Sequence, residues 1–212
     1  MILNGAEINA TAKFNRTPLY FAVLQNKAPI VNNLLQNGAD PDAADSNLTT
    51  PLHIAAATGF IEVFKMLIAK DAKIEAKDFS GWTPLHWAAW NGYDLVLELL
   101  LQNGANIEVQ TNIDRTPLHL SAVCGLGCAK TLEILIQSDA KLDAKDDEGQ
   151  TSLHLAVHRR KALKIEMLMR YGASLKIRNN FGFTPLEYAF QGNAATMEHK
   201  LKCIKALCYK EE

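Results

Sequence analysis

A Thr-(Pro/Ser)-Leu element begins at Thr17, Thr50, Thr83, Thr116, Thr151 and Thr184, at intervals of 33, 33, 33, 35 and 33 residues. Other residues keep the same phase. His53, His86, His119 and His154 each follow their Thr by three positions, and Gly38-Ala39, Asp71-Ala72, Gly104-Ala105, Asp139-Ala140 and Gly172-Ala173 close successive apolar segments. Self-similarity at a fixed period near 33 means that one small unit, unable to bury its apolar face alone, is stacked on copies of itself. The 212 residues therefore count repeats, not domains.

Residues 78–110 show what one unit encodes. Thr83 before Pro84 is a helix start, because the hydroxyl caps free backbone N–H groups and Pro at the first helical position sacrifices no donor. The pattern predicts a helix from Pro84 to about Asn91, an interruption at Gly92, and a second helix from about Asp94 to Gln102. That second helix is apolar nearly all round, as a helix with several neighbours must be. Asn103-Gly104 ends it, and an extended turn from Asn106 to Arg115 leads to the next Thr-Pro.

Helix, tight turn, helix and projecting β-turn at this period resemble the ankyrin repeat. The resemblance rests on the Thr-Pro-Leu-His starts, the small pairs Ala55-Ala56 and Ala88-Ala89, the turn glycines Gly59 and Gly92, and the Gly-Ala helix ends. It implies an all-α solenoid of about six repeats. The expected boundaries are 1–11 for a partial repeat, then 12–44, 45–77, 78–110, 111–145, 146–178 and 179–212, in one continuous domain. It also implies that the repeated His is structural, bonding within its own turn and to the neighbouring loop. Residues 1–11 read as the tail of a repeat whose first helix is missing, so the chain is expected to be cut from a longer array. At the other end Met197, Leu201, Ile204 and Leu207 form an inward stripe of a C-terminal cap.

Departures from the pattern carry their own expectations. The left-handed position two residues before each Thr reads Asn15, Leu48, Gly81, Asp114, Gly149 and Gly182. A branched side chain is strained there, so Leu48 predicts a different turn. Two extra residues lie between the helices of the fourth repeat, in Cys124-Gly125-Leu126-Gly127-Cys128. This Gly-x-Gly follows a helix and lacks a third glycine, so it reads as a longer loop and not as a nucleotide site. The spacings of Cys124/Cys128 and Cys203/Cys208 do not match as metal ligands, and the four thiols are expected to be free and reduced.

No metalloprotease His-Glu-x-x-His, Gly-x-Ser-x-Gly elbow or complete phosphate loop is present, so no enzyme, cofactor or metal site is expected. Net charge is −1, with −7 over residues 1–157 and +6 over 158–212. Near-neutrality argues against nucleic acid; Arg159-Arg160-Lys161-Lys164 is the one basic cluster and reads as a solvated helix end. No apolar run reaches the roughly 18 residues that span a bilayer, and no signal peptide opens the chain, so a cytoplasmic or nuclear location without membrane insertion is expected.

The resemblance implies a concave face built from the residues one, three and four before each Thr and seven and eight after it. The partner-binding candidates are Phe79, Trp82, Trp90, Asn112, Ile113, Arg115, Arg159, Phe181 and Phe183, with the central aromatics crowding one part of the groove. Trp and Arg dominate interface hot spots, and exposed apolar clusters mark binding sites. Trp87, four residues after Thr83, reads as core or edge. The expected role is a monomeric, non-catalytic module that binds a protein or peptide. The alternative is a scaffold or targeting part of a longer multidomain protein whose activity lies outside this chain, such as the host-directed effector that the Lys-, Asn- and Ile-rich composition suggests. The resemblance also implies asparagine hydroxylation at the third residue after each Gly-Ala, where only Asn9 is an asparagine.

Overall fold

The computed structural model describes residues 7–125 and 128–190. The expected C-terminal cap, Cys203, Cys208 and the first six residues lie outside them. Eleven α-helices follow a 3₁₀ turn at Lys13–Asn15 among the described residues: α1 (Pro18–Leu24), α2 (Ala28–Gln36), α3 (Pro51–Thr58), α4 (Ile61–Ile68), α5 (Pro84–Asn91), α6 (Asp94–Gln102), α7 (Pro117–Val123), α8 (Ala129–Gln137), α9 (Ser152–His158), α10 (Ala162–Arg170) and α11 (Pro185–Ala189). They form an all-helical repeat solenoid. By packing, the chain divides into two compact units, Met1–Ala88 with Leu95–Asn106, and Ala89–Asp94 with Ile107–Glu212.

Stacking follows the sequence period. In the first unit α1 packs on α2 and α3, and α4 on α3 and α2; in the second, α9 packs on α7, α10 and α11. Leu52, Ala55, Ala56, Val63 and Leu67 are fully enclosed, as are Leu118, Ala122, Leu132, Leu153, Ala156 and Ile165. Alanine on the first helix of a pair lets its neighbour approach, while Leu and Val fill the space behind it.

In α1 the Thr17 hydroxyl accepts the Tyr20 amide at 3.2 Å, and from α3 onward each first helix is also capped by the side chain three residues after its Thr. The Thr50 amide donates to His53 Nδ1 at 3.1 Å, and His53 Nε2 lies 3.0 Å from the Trp82 carbonyl oxygen. A ring nitrogen that accepts from an amide carries no proton, so the imidazole is neutral with its hydrogen on Nε2, donated to the next turn. His119 and His154 repeat this, reaching Gln150 O at 3.1 Å and Phe183 O at 3.0 Å. The histidines link one repeat to the next. In the last described repeat Glu187 takes the same place: the Thr184 amide donates to its carboxylate at 2.8 Å and the Glu187 amide donates back to Thr184 Oγ1 at 3.3 Å.

Second helices end in a left-handed residue, whichever side chain occupies it. Gly38, Gly104 and Gly172 have φ of 89°, 86° and 99°, and Asp71 and Asp139 adopt 57° and 65°. Leu48 differs from expectation. Its φ is +60°, and its amide reaches Asp45 O at 2.9 Å as Gly81 reaches Asp78 O at 2.8 Å. The turn is the same one, held in a strained conformation by its surroundings. The cysteines differ too: Cys124 and Cys128 are joined by a disulfide, with Cα atoms 6.2 Å apart.

Candidate functional site

The turn tips are rigid for a reason the sequence shows only in retrospect. Five residues before the Thr of the second to sixth repeats stands Asp45, Asp78, Thr111, Asp146 or Asn179, and its side chain accepts the amides two and four residues on. Asp45, Asp146 and Asn179 are buried beneath their own turns. A carboxylate spanned by two N–H groups fixes the loop that crosses over it. Successive tips then join through backbone bonds: Ser46 N–H to Phe14 O and Phe79 N–H to Asn47 O, both 2.9 Å, in the first unit, and Asp147 N–H to Ile113 O (3.2 Å) and Asn180 N–H to Glu148 O (2.9 Å) in the second. The recurring acid was the available signal for this scaffold.

On that frame the candidates separate by exposure. Phe79, at 76%, is the most exposed large apolar side chain among the described residues. Trp82, in the same unit, is half-buried and lies 4.8 Å from Trp87, whose indole N–H donates to Asp78 Oδ2 at 3.0 Å. Trp82 therefore braces its tip as well as facing outward, and Trp87 sits at the edge of the core. Two residues that the nine candidates omit stand out on the same unit's tips: Phe14 is 54% exposed and Leu48 52%. Lys13 and Arg16 lie over the Phe14 ring, 5.0 and 5.5 Å from its centroid.

In the second unit Trp90, Asn112, Ile113, Arg159 and Phe181 are exposed, while Arg115 and Phe183 are half-buried. Arg115 Nε donates to the enclosed Asp146 carboxylate at 3.1 Å, so this guanidinium also buttresses the next tip. Phe183 stacks on Tyr188, and Tyr188 stacks on His158 with centroids 5.1 Å apart. Lys164, the fourth member of the basic cluster, is buried, and its Nζ donates to Ser121 O at 2.6 Å and Cys124 O at 3.0 Å. Only Arg159, Arg160 and part of Lys161 remain at that helix end.

The residues three after each Gly-Ala form a ladder between repeats. Asn9 Oδ1 accepts from the Asp40 amide (2.9 Å) and Asp42 from Lys73 (2.8 Å), with Glu75, Glu108 and Asp143 accepting from Asn106, Lys141 and Ser174. Asn9 is the neutral one of these five, the other four being acidic, and the sixth such position is Lys176.

Among the described residues no three His, Cys, Asp or Glu side chains are grouped to hold a metal ion, and no helix is long and apolar enough to cross a membrane. An open depression of about 520 Å³ is lined by Ile68, Asp71, Lys73, Glu75 and Asn103 at helix ends.

A family model for ankyrin repeats (3 copies) matches residues 1–78, 29–111, 77–146 and 118–212. Among solved structures, the ankyrin repeat domain of human ASB11 is similar, with a TM-score of 0.82 and 25% identity over 95% of this chain and 88% of that one. No protein of curated function matches. Proteins of this class serve generally as protein–protein interaction modules. Period, capped helix pairs, bonded turn tips and a family match from one end to the other agree: the chain belongs to the ankyrin repeat family.

Proposed function

We propose that the chain is a monomeric, non-catalytic module that binds a protein or peptide through its turn tips and first-helix ends, in the cytoplasm or nucleus. Phe79, Trp82, Trp90, Asn112, Ile113, Arg115, Arg159, Phe181 and Phe183 carry the contact, with Phe14 and Leu48 added on the first unit. One observation carries this reading: large apolar side chains stand in solvent on a backbone that is fully tied down, as with Phe79, whose own amide is bonded to Asn47 O. Exposing Phe79, Ile113 and Phe181 forfeits a part of the about 1.5–3 kcal/mol that full burial of each would contribute, in proportion to its exposure, and their rigid presentation lowers the entropic cost of docking. Trp82, Arg115 and Phe183 contribute to the contact and also hold the tips in shape, through Trp87, Asp146 and Tyr188. The burial of Lys164 weakens the basic cluster and favours a protein over nucleic acid.

Affinity capture from lysate, with partners identified by mass spectrometry, tests this. Phe79→Ala and Phe181→Ala leave the buried scaffold untouched and are expected to lower recovery of the specific partner at least tenfold, with helical content unchanged. Trp82→Ala and Trp90→Ala extend the test to residues that also pack. Undiminished recovery with all four variants would sink the assignment.

A further inference from the structure

The facing ends of α7 and α8 in the fourth repeat carry chemistry that partner binding does not use. Cys124 closes α7 and Cys128 precedes α8; both are buried, and their Cα atoms are 6.2 Å apart, within the range that a disulfide bridges. The Lys164 ammonium from α10 touches the same spot. It donates to Ser121 O and Cys124 O, and it lies 3.0 Å from Cys124 Sγ. Two carbonyls do not neutralise a buried cation. The ammonium thus lacks a formal anion among these partners, and Cys124 Sγ is the one atom of the three that can become one. Each sulfur also faces a carbonyl oxygen, Cys124 Sγ that of Ser121 at 3.2 Å and Cys128 Sγ that of Trp90 at 3.6 Å, so the ammonium is what sets Cys124 apart.

We propose that Cys124 and Cys128 are a reversible redox-modification site, in which Lys164 receives the Cys124 sulfur as a thiolate when the disulfide is reduced. Reduction begins when an external thiolate attacks Cys128 Sγ; the S–S bond breaks and its electron pair leaves on Cys124 Sγ, beside the ammonium. A second external thiolate then attacks the mixed disulfide and releases Cys128 Sγ, which takes a proton. Two electrons have entered, and the two external thiols leave as their disulfide. The reverse, with a small-molecule disulfide as oxidant, restores the bond. A cation beside a sulfur lowers its pKa and makes it the better leaving group. Burial pushes the Lys164 ammonium down to about 8, with Lys161 adding to the effect, so it remains charged at neutral pH. Both sulfurs are enclosed, so exchange proceeds through local unfolding of the ends of α7 and α8 that carry them. A disulfide in a reducing compartment is characteristically of this reversible, sensing kind.

The test uses the full chain with Cys203→Ser and Cys208→Ser, equilibrated in glutathione buffers of graded ratio, alkylated, and read by intact mass. Two alkylatable thiols at the reducing end and none at the oxidising end, with a midpoint between, are expected. Lys164→Gln retains donors for the two carbonyls but removes the charge. It should shift the midpoint toward the oxidised form by about tenfold in the equilibrium constant, about 30 mV for two electrons. Two thiols at every ratio, or no reduction of the folded chain at any ratio, overturns the site; an unshifted midpoint in folded Lys164→Gln overturns the role of Lys164. Should that variant not fold, single-cysteine chains decide: Cys124 in the Cys128→Ser chain should alkylate faster at pH 7 than Cys128 in the Cys124→Ser chain, and equal or reversed rates overturn the pairing.

Discussion

Leu48 shows how far a single residue can be overruled by its neighbours. A left-handed conformation costs a branched L-residue about 1–2 kcal/mol, yet the turn closes with the same hydrogen bond as at Gly81. Asp45 accepts the Asn47 amide at 2.8 Å and the Thr49 amide at 3.0 Å, and the adjoining tips bond to Ser46 and Asn47. Four fixed N–H groups leave the backbone no other path. Leu48→Gly is therefore expected to raise unfolding free energy in urea by about 0.5–1 kcal/mol, strain relief exceeding the extra entropy glycine loses on folding. A drop instead would mean that the half-exposed Leu side chain packs well enough to outweigh its backbone. The strain itself was legible, since Leu stands where Gly, Asn or Asp otherwise recur. Its resolution was not, because beside the local Asp45 two of the restraining bonds come from Phe14 and Phe79, some thirty residues away in either direction.

At the scale of the helix and its cap, the histidines set a pH response. Burial lowers the pKa of His53, His119 and His154 below the ordinary 6.5, against weaker opposing effects of nearby carbonyls and carboxylates. Each ring accepts an amide at Nδ1, and protonation would turn that acceptor into a donor facing another donor. Above pH 6.5 the folded and unfolded rings are both neutral and the caps contribute fully. As pH falls below 6.5 the unfolded chain binds protons that the folded chain excludes, so stability declines, by at most about 1.4 kcal/mol per group for each pH unit. Urea midpoints should fall between pH 7.5 and 5.5, and His119→Gln should make that fall shallower. A midpoint independent of pH would mean the folded rings titrate normally. Helix positions and caps were readable because they depend on residues three or four apart: Thr-Pro starts, Gly ends and His at the third position. Glu187 replaces His as the cap, which a search for repeated His misses, although Thr-x-x-Glu is itself a capping pattern. The candidate site was legible only in part. Phe79, Ile113 and Phe181 are exposed as their tip positions imply, but the second roles of Trp82 on Trp87 and of Arg115 on Asp146 depend on packing. The Cys124–Lys164 contact joins residues forty apart, in a segment whose length breaks the period.

Across the whole molecule, a stack in which each repeat touches only its neighbours should lose stability locally. Gly149 offers a clean perturbation. It has φ +71°, and a Cβ added there would come 2.9 Å from the Asn180 backbone nitrogen of the next tip, a neighbour that cannot swing aside. Gly149→Ala thus combines left-handed strain with a backbone clash, and a cost of about 1–3 kcal/mol is expected. The tip belongs to the repeat of α9, which packs on α7, α10 and α11. Hydrogen exchange should therefore lose protection first in those four helices, while α1 to α4 keep theirs. Equal loss in every helix would instead mean that the array unfolds as one cooperative body. The distinction bears on function, because a module whose repeats soften separately can have one group of tips altered while the contacts of the others persist.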